Sequence, residues 1–233
     1  MSRIILKISG EVLKEDDKNV SEKKLNIIKE IIEELKKDKH KIGIVIGGGN
    51  YFRGRDHNDM VPIKKDAIGM MGTVINALYI SDFLEKYKIK NEVYTPFDFP
   101  YLIENFSDSE LKEKYENDEI IIFGGGIGKS GFSTDSGASF AAKKVKASLI
   151  IKLTTVDGVY DKDPKTNKEA KLFKTLTFNE VIENNYKVMD TSAFKECKEN
   201  NIDIIVMNFE KYKYLNEAIK KHNIGTFIGG SNE

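Results

Sequence analysis

Cysteine is nearly absent from this chain. The lone thiol, Cys197, leaves no partner for an internal disulfide, which fits a reducing compartment and leads us to expect a cytoplasmic protein. On a predicted helix, that thiol reads as a small buried apolar group. Neither sign of charge is in excess, with 37 Lys+Arg against 37 Asp+Glu. This argues against a nucleic-acid partner that needs a broad basic surface, and leaves room for a local basic pocket. Long hydrophobic runs are also missing: by count, no stretch approaches the roughly 18 apolar residues of a membrane span. The apolar start, Met1 to Lys7, is short and is interrupted by Lys7, so it is no signal peptide. No membrane partner is expected. Histidine is scarce, and His40, His57 and His222 have no metal-ligand spacing. All three read as surface residues. Internal repeats, low-complexity tracts and a clear linker are lacking too.

Hydrophobic residues make up 40% and charged residues 32% of 233, enough for a packed core. Apolar runs of strand length alternate with segments of helical spacing. Strands are expected at 3–8, 41–46, 91–95, 119–123, 147–153, 203–207 and 226–228. Helices are expected at 21–37 (with Ser21 as N-cap), 66–87, 108–115, 134–146, 178–184, 191–200 and 212–221. The polar stretch 161–171, with Asp163-Pro164, reads as an exposed loop. Such alternation implies an α/β fold, a three-layer α/β/α arrangement with a mostly parallel central sheet. One domain over 1–233 is expected, with lobes of roughly 1–150 and 151–233.

Glycine follows three of the early strands, at Ser9-Gly10, Gly47-Gly48-Gly49 and Gly124-Gly125-Gly126. Glycine lets backbone approach a ligand closely, and a helix starting beyond such a turn offers free N–H groups to an anion. One turn of this kind would mean only a tight turn. Three at strand carboxyl ends favour a phosphate site. Gly128-Lys129-Ser130 resembles the end of a P-loop, but Phe123 stands where the first glycine must be, so the motif fails. Gly126-x-Gly128-x-x-Gly131 has dinucleotide-fingerprint spacing at the wrong strand. Phosphoryl transfer asks mainly for positive charge and placement. Lys7, within an apolar strand, needs an anionic partner unless that strand is an edge. Arg53 is within reach of a phosphate or is an ordinary surface arginine. Asp135, at a predicted helix start, serves the site or merely complements the helix dipole. Lys152 faces the nucleotide or the solvent.

In this order, the stretches Lys7-Ile-Ser-Gly-Glu11, Ile46-Gly-Gly-Gly-Asn-Tyr-Phe-Arg-Gly54, Asp66-Ala-Ile-Gly-Met-Met71, Ser133-Thr-Asp-Ser136, Thr155-Val-Asp-Gly-Val-Tyr160 with Asp163-Pro164, and Lys187-Val-Met-Asp190 resemble the bacterial uridylate (UMP) kinases of the amino-acid kinase superfamily. The resemblance spans nearly the whole chain. It implies ATP and UMP as substrates, ADP and UDP as products, magnesium carried by ATP with no direct protein ligand, and a place in pyrimidine nucleotide synthesis. It implies Lys7, Arg53 and Asp135 as catalytic residues. Lys7, Ile8, Ser9, Gly10, Gly49, Arg53, Thr154, Tyr160 and Asp163 would serve ATP. Gly48, Asp66 and the segment Ile127, Gly128, Lys129, Ser130, Gly131, Phe132, Ser133 and Thr134 would serve UMP. A homo-oligomer, a hexamer by family habit, is implied, with UTP as an inhibitor at the UMP site. The apolar character of the long helix around 68–80 supports association. Three features depart from the family. Ile127 stands where a threonine is common, Lys129-Ser130-Gly131 is atypical, and 12–20 is short and charged where many relatives carry a longer loop involved in GTP activation. The rival readings are a superfamily kinase acting on a carboxylate or carbamate, and a nucleotide-binding sensor without turnover.

Overall fold

The computed structural model describes residues 2–99, 103, 107–164, 166–186 and 188–230. Lys187, part of one family motif, lies outside them. Strands β1 (Arg3–Ile8), β2 (Lys41–Ile46), β3 (Asn91–Tyr94), β4 (Ile120–Phe123), β5 (Leu149–Thr154), β6 (Thr175–Leu176), β7 (Asp203–Asn208) and β8 (Thr226–Ile228) form one sheet in the order β3-β4-β2-β1-β5-β7-β8-β6. Every pairing is parallel except β7 with β8. The three strands that matter most, β2, β1 and β5, lie side by side at the centre. They are almost wholly buried, as parallel strands covered on both faces must be.

Side chains alternate across the sheet. Ile4, Leu6 and Ile8 enter one core with helices α1 (Glu22–Lys37), α2 (Pro62–Lys86) and α7 (Leu215–Lys221). Ile5 points to the opposite core, formed with α3 (Asp108–Glu116), α4 (Thr134–Lys144), α5 (Phe178–Glu183) and α6 (Thr191–Glu199). These are the three layers. In α1, Leu25, Ile28, Ile31, Ile32 and Leu35 are buried at helical spacing. Ser21 holds the N-cap position, yet its hydroxyl donates to Glu15 Oε2 at 2.5 Å instead of capping the backbone.

Several expectations are corrected. The long helix begins at Pro62, four residues before Asp66, because proline at the first helical position needs no hydrogen-bond partner and presets φ. The expected helix 212–221 is a 3-10 turn over Phe209–Tyr214, broken at Lys211, followed by α7. Strand β6 was not anticipated, being only two residues long. His40 is buried, not at the surface, and its Nδ1 accepts from the Ser2 amide at 3.1 Å. Cys197 is fully buried, as expected. By averaged hydropathy, α2 is long and apolar enough to cross a membrane, which the count of apolar residues missed; 44% of its most apolar stretch is buried within the fold.

Candidate active site

The carboxyl ends of β1, β2, β4 and β5 deliver the glycine turns to one edge of the sheet. Gly10 is clamped: a Cβ there would lie 2.5 Å from the Gly47 carbonyl oxygen and 2.7 Å from the Gly49 nitrogen. Gly48 presses on α2, where a Cβ would lie 2.7 Å from the Gly69 oxygen. Two buried amides lock this arrangement. Asn50 and Asn76 bond each other reciprocally at 2.9 and 2.7 Å, and Asn76 Nδ2 donates to the Gly47 carbonyl at 2.7 Å. On the third turn, the Gly125 amide donates to Thr73 Oγ1 at 2.7 Å, and Gly125, Gly126, Gly128 and Gly131 all have positive φ. The sequence reading missed Asn50, Asn76 and Thr73; an asparagine in the apolar stretch of α2 was the available signal.

Behind the turns lies a charged cluster. Parallel pairing puts Lys7 of β1 beside Lys152 of β5, in register and on the same face. Both are buried, each with 6% exposure. Asp135, in the first turn of α4, sits between them: Lys7 Nζ lies 2.8 Å from its Oδ1, and Lys152 Nζ donates at 2.9 Å to both oxygens. Lys152 also donates to the Val188 carbonyl. Burial alone would raise the Asp135 carboxyl, but the charges of Lys7 and then Lys152 outweigh it and hold it down at about 2. Burial pushes Lys152 down to about 8, Lys7 adding to the shift and Asp135 opposing it. Asp135 is placed by Ser133, the N-cap of α4, whose hydroxyl accepts from the Asp135 amide at 3.0 Å and donates to Asp190. Lys152 therefore faces the cluster and not the solvent.

Beside this cluster opens a cavity of about 590 Å³, lined by Ser9, Glu11, Lys152, Thr154, Tyr160 and Asp163 among others. It gathers four of the residues expected to serve ATP. Arg55 lines the cavity, 3.9 Å from the Glu11 carboxylate; Arg53 does not line it and reaches it only through Glu11, 3.2 Å away. On the other side of the glycine turns, Asp66 Oδ2 accepts from Ser130 Oγ at 2.5 Å and from the Gly131 amide at 2.7 Å. Those two donors, Ser130 first, lower its carboxyl pKa. The segment 127–134 thus folds back onto α2, with Lys129 and Phe132 exposed. It is not a P-loop, because α4 starts only at Thr134. Both Asp135 oxygens are committed to ammonium groups, a donor set that does not suit direct ligation of a metal ion.

A parallel sheet with glycine turns at its carboxyl edge, and a buried excess of positive charge behind them, defines a phosphate-handling α/β protein. The model of the Amino acid kinase family matches residues 2–208. The uridylate kinase of Fervidobacterium nodosum is 43% identical over 97% of both chains, and that of Bacteroides thetaiotaomicron 38% identical over 97% of both. The crystal structure of UMP kinase from Ureaplasma parvum superposes with a TM-score of 0.90 at 35% identity, covering 98% of this chain and 99% of that one. The UMP kinase structure from Bacillus anthracis gives 0.93 at 30% identity, covering 99% and 97%. The chain belongs to the amino acid kinase family, on its uridylate kinase branch.

Proposed function

We propose that this enzyme transfers the γ-phosphoryl group of ATP to UMP, giving ADP and UDP. The observation that carries the reading is the buried Lys7–Asp135–Lys152 cluster, which holds two cations and one anion where the glycine turns converge. An unbalanced buried charge is costly unless an anion arrives to meet it, and a phosphoryl group in flight is such an anion. Lys7 stabilises the transferred group, Asp135 orients Lys7, and Arg53 serves the phosphate path. Ile8, Ser9, Gly10, Gly49, Thr154, Tyr160 and Asp163 hold ATP, whose phosphates carry magnesium. Gly48, Asp66 and residues 127–134 hold UMP, and Asp66 exchanges its Ser130 and Gly131 partners for substrate hydroxyls. The acceptor is already a phosphate anion, so no general base is required. The lobe 1–150 takes the acceptor and 151–233 takes ATP. The enzyme works in the cytoplasm, in pyrimidine nucleotide synthesis, as a homo-oligomer that we take to be a hexamer, and UTP competes for the UMP site.

Purified protein assayed with ATP, magnesium and UMP, CMP, dUMP or acetylglutamate side by side tests this. UMP is expected to be the preferred acceptor. Turnover of acetylglutamate, aspartate or carbamate without UMP would overturn the acceptor assignment. Lys7→Ala is expected to lower kcat at least about 100-fold with a smaller change in ATP affinity.

A further inference from the structure

We propose that Lys152 is a positioning residue for phosphoryl transfer, one that fixes the Asp135 carboxylate and the Val188 backbone and leaves the phosphates to Lys7. The proposal rests on the kinase reading above. An ammonium group has three N–H donors. Lys152 Nζ faces three acceptors: Asp135 Oδ1 and Oδ2, both at 2.9 Å, and the Val188 carbonyl. It has no donor left for a ligand, although it forms part of the wall of the nucleotide cavity. Among the described residues, Lys7 Nζ has one anionic partner, Asp135 Oδ1 at 2.8 Å, which leaves it donors for a phosphate.

The register makes this division of labour necessary. Lys7 and Lys152 are directly paired across β1 and β5, and like charges in that relation repel. Asp135 relieves the repulsion only if its carboxylate stays between them. Lys152 grips both of its oxygens and thereby sets the plane in which Oδ1 meets Lys7. The same ammonium ties β5 to Val188, two residues from Asp190, whose carboxylate accepts a hydrogen bond from the hydroxyl of the α4 cap Ser133. One side chain thus joins β5, the start of α4 and the 188–190 segment.

The groups that bear on Asp135 are few. Lys7 approaches from β1, Lys152 from β5, the Ser133 hydroxyl from the cap of its own helix, and the Cys197 thiol from α6, which burial keeps protonated. From β2 the neighbour on this face is apolar Val45. Removing Lys152 therefore removes one of the two cations that keep Asp135 ionised.

The test is Lys152→Met in the full-length protein, assayed with ATP and the acceptor that the panel identifies. We expect kcat to fall at least about 100-fold, the scale of a misplaced reacting group. KM for ATP and acceptor should stay within about threefold. The acid limb of the kcat profile should move up by at least about one pH unit. An unchanged kcat overturns the proposal, as does a tenfold rise in the KM for ATP with kcat intact, which would make Lys152 an ATP ligand. A purely structural role would lower thermal stability and the active fraction without moving the acid limb, and would also overturn it. If the variant does not fold, NMR of lysine side chains in the wild-type protein decides. A non-hydrolysable ATP analogue should shift the Lys7 ammonium signal and leave that of Lys152; a shift of Lys152 overturns the assignment. Wild-type protein inactive with every acceptor would count against the kinase reading alone, and the NMR comparison would still decide the place of Lys152.

Discussion

Asp135 and Lys152 give this protein two separate pH windows, one acid and one alkaline. Asp135 sits at about 2, below its ordinary 3.8. A depressed carboxyl stabilises the fold above its unfolded value, and that contribution is lost as pH falls through the folded value. The window is therefore about 3.8 down to about 2, with an order of 2 kcal/mol at stake. Lys152 follows the same sign in a higher window. Its folded value of about 8 lies below the ordinary 10.5, so between those values the unfolded chain binds a proton that the fold does not. Its contribution to stability rises with pH across that window, while the charge that positions Asp135 disappears. We expect kcat to decline as pH rises through about 8 with no matching loss from this group in thermal stability. Lys152→Arg, which does not deprotonate in this range, should remove that alkaline limb. Parallel kcat and melting profiles from pH 6 to 10 check both; a limb of equal position in the arginine variant would contradict the assignment.

At the scale of elements, the site depends on how closely the turn after β1 approaches the turn after β2. Gly10→Ala would drive a methyl group into the Gly47 oxygen at 2.5 Å and into Asn50 Oδ1 at 2.7 Å. Both belong to the buried Asn50–Asn76–Gly47 lock, so neither yields easily. Overpacking of this kind costs about 1–3 kcal/mol or more, and nucleotide binding should weaken with it. Gly69→Ala is the control, because a Cβ there meets nothing within 4 Å and alanine favours the helix by about 1 kcal/mol. Chemical denaturation of the two variants should give shifts of opposite sign. The same contrast explains what the sequence could tell. The turns themselves were legible, because glycine clusters at the ends of apolar strands have one main use. Lys7 was legible as a buried cation in need of an anion, and Asp135 is the group that meets it. The role of Lys152 was not, since only the β1–β5 pairing brings it beside Lys7 across 145 residues of chain. The Asn50–Asn76 lock and the burial of His40 likewise rest on contacts distant in sequence.

For the whole molecule, the decisive surface is the outer face of α2. One face of this helix is spent inside the fold, where Thr73, Asn76, Ala77, Ile80 and Leu84 are buried against the sheet and the glycine turn. The other face carries Ile68, Met71, Ile75, Leu78 and Tyr79, all between 39% and 50% exposed. They recur at three- and four-residue intervals, so they form a continuous apolar stripe and not scattered single residues. A second copy of the chain is the natural cover, because a two-fold axis beside α2 would lay stripe against stripe. Ile75→Glu with Leu78→Glu places two carboxylates in that stripe. If the face meets solvent, each change falls among ordinary surface substitutions, within about 0.5 kcal/mol, and the assembly is untouched. If the face is covered, the charges are desolvated without partners and the contact fails. We expect light scattering to give a mass several times that of the protomer for the wild type and a smaller assembly for the double variant. Turnover should fall in parallel, because α2 also carries Asp66 and braces Gly48 through Gly69. A wild-type protein that is monomeric at working concentration would remove the assembly from the account and leave the stripe without a function.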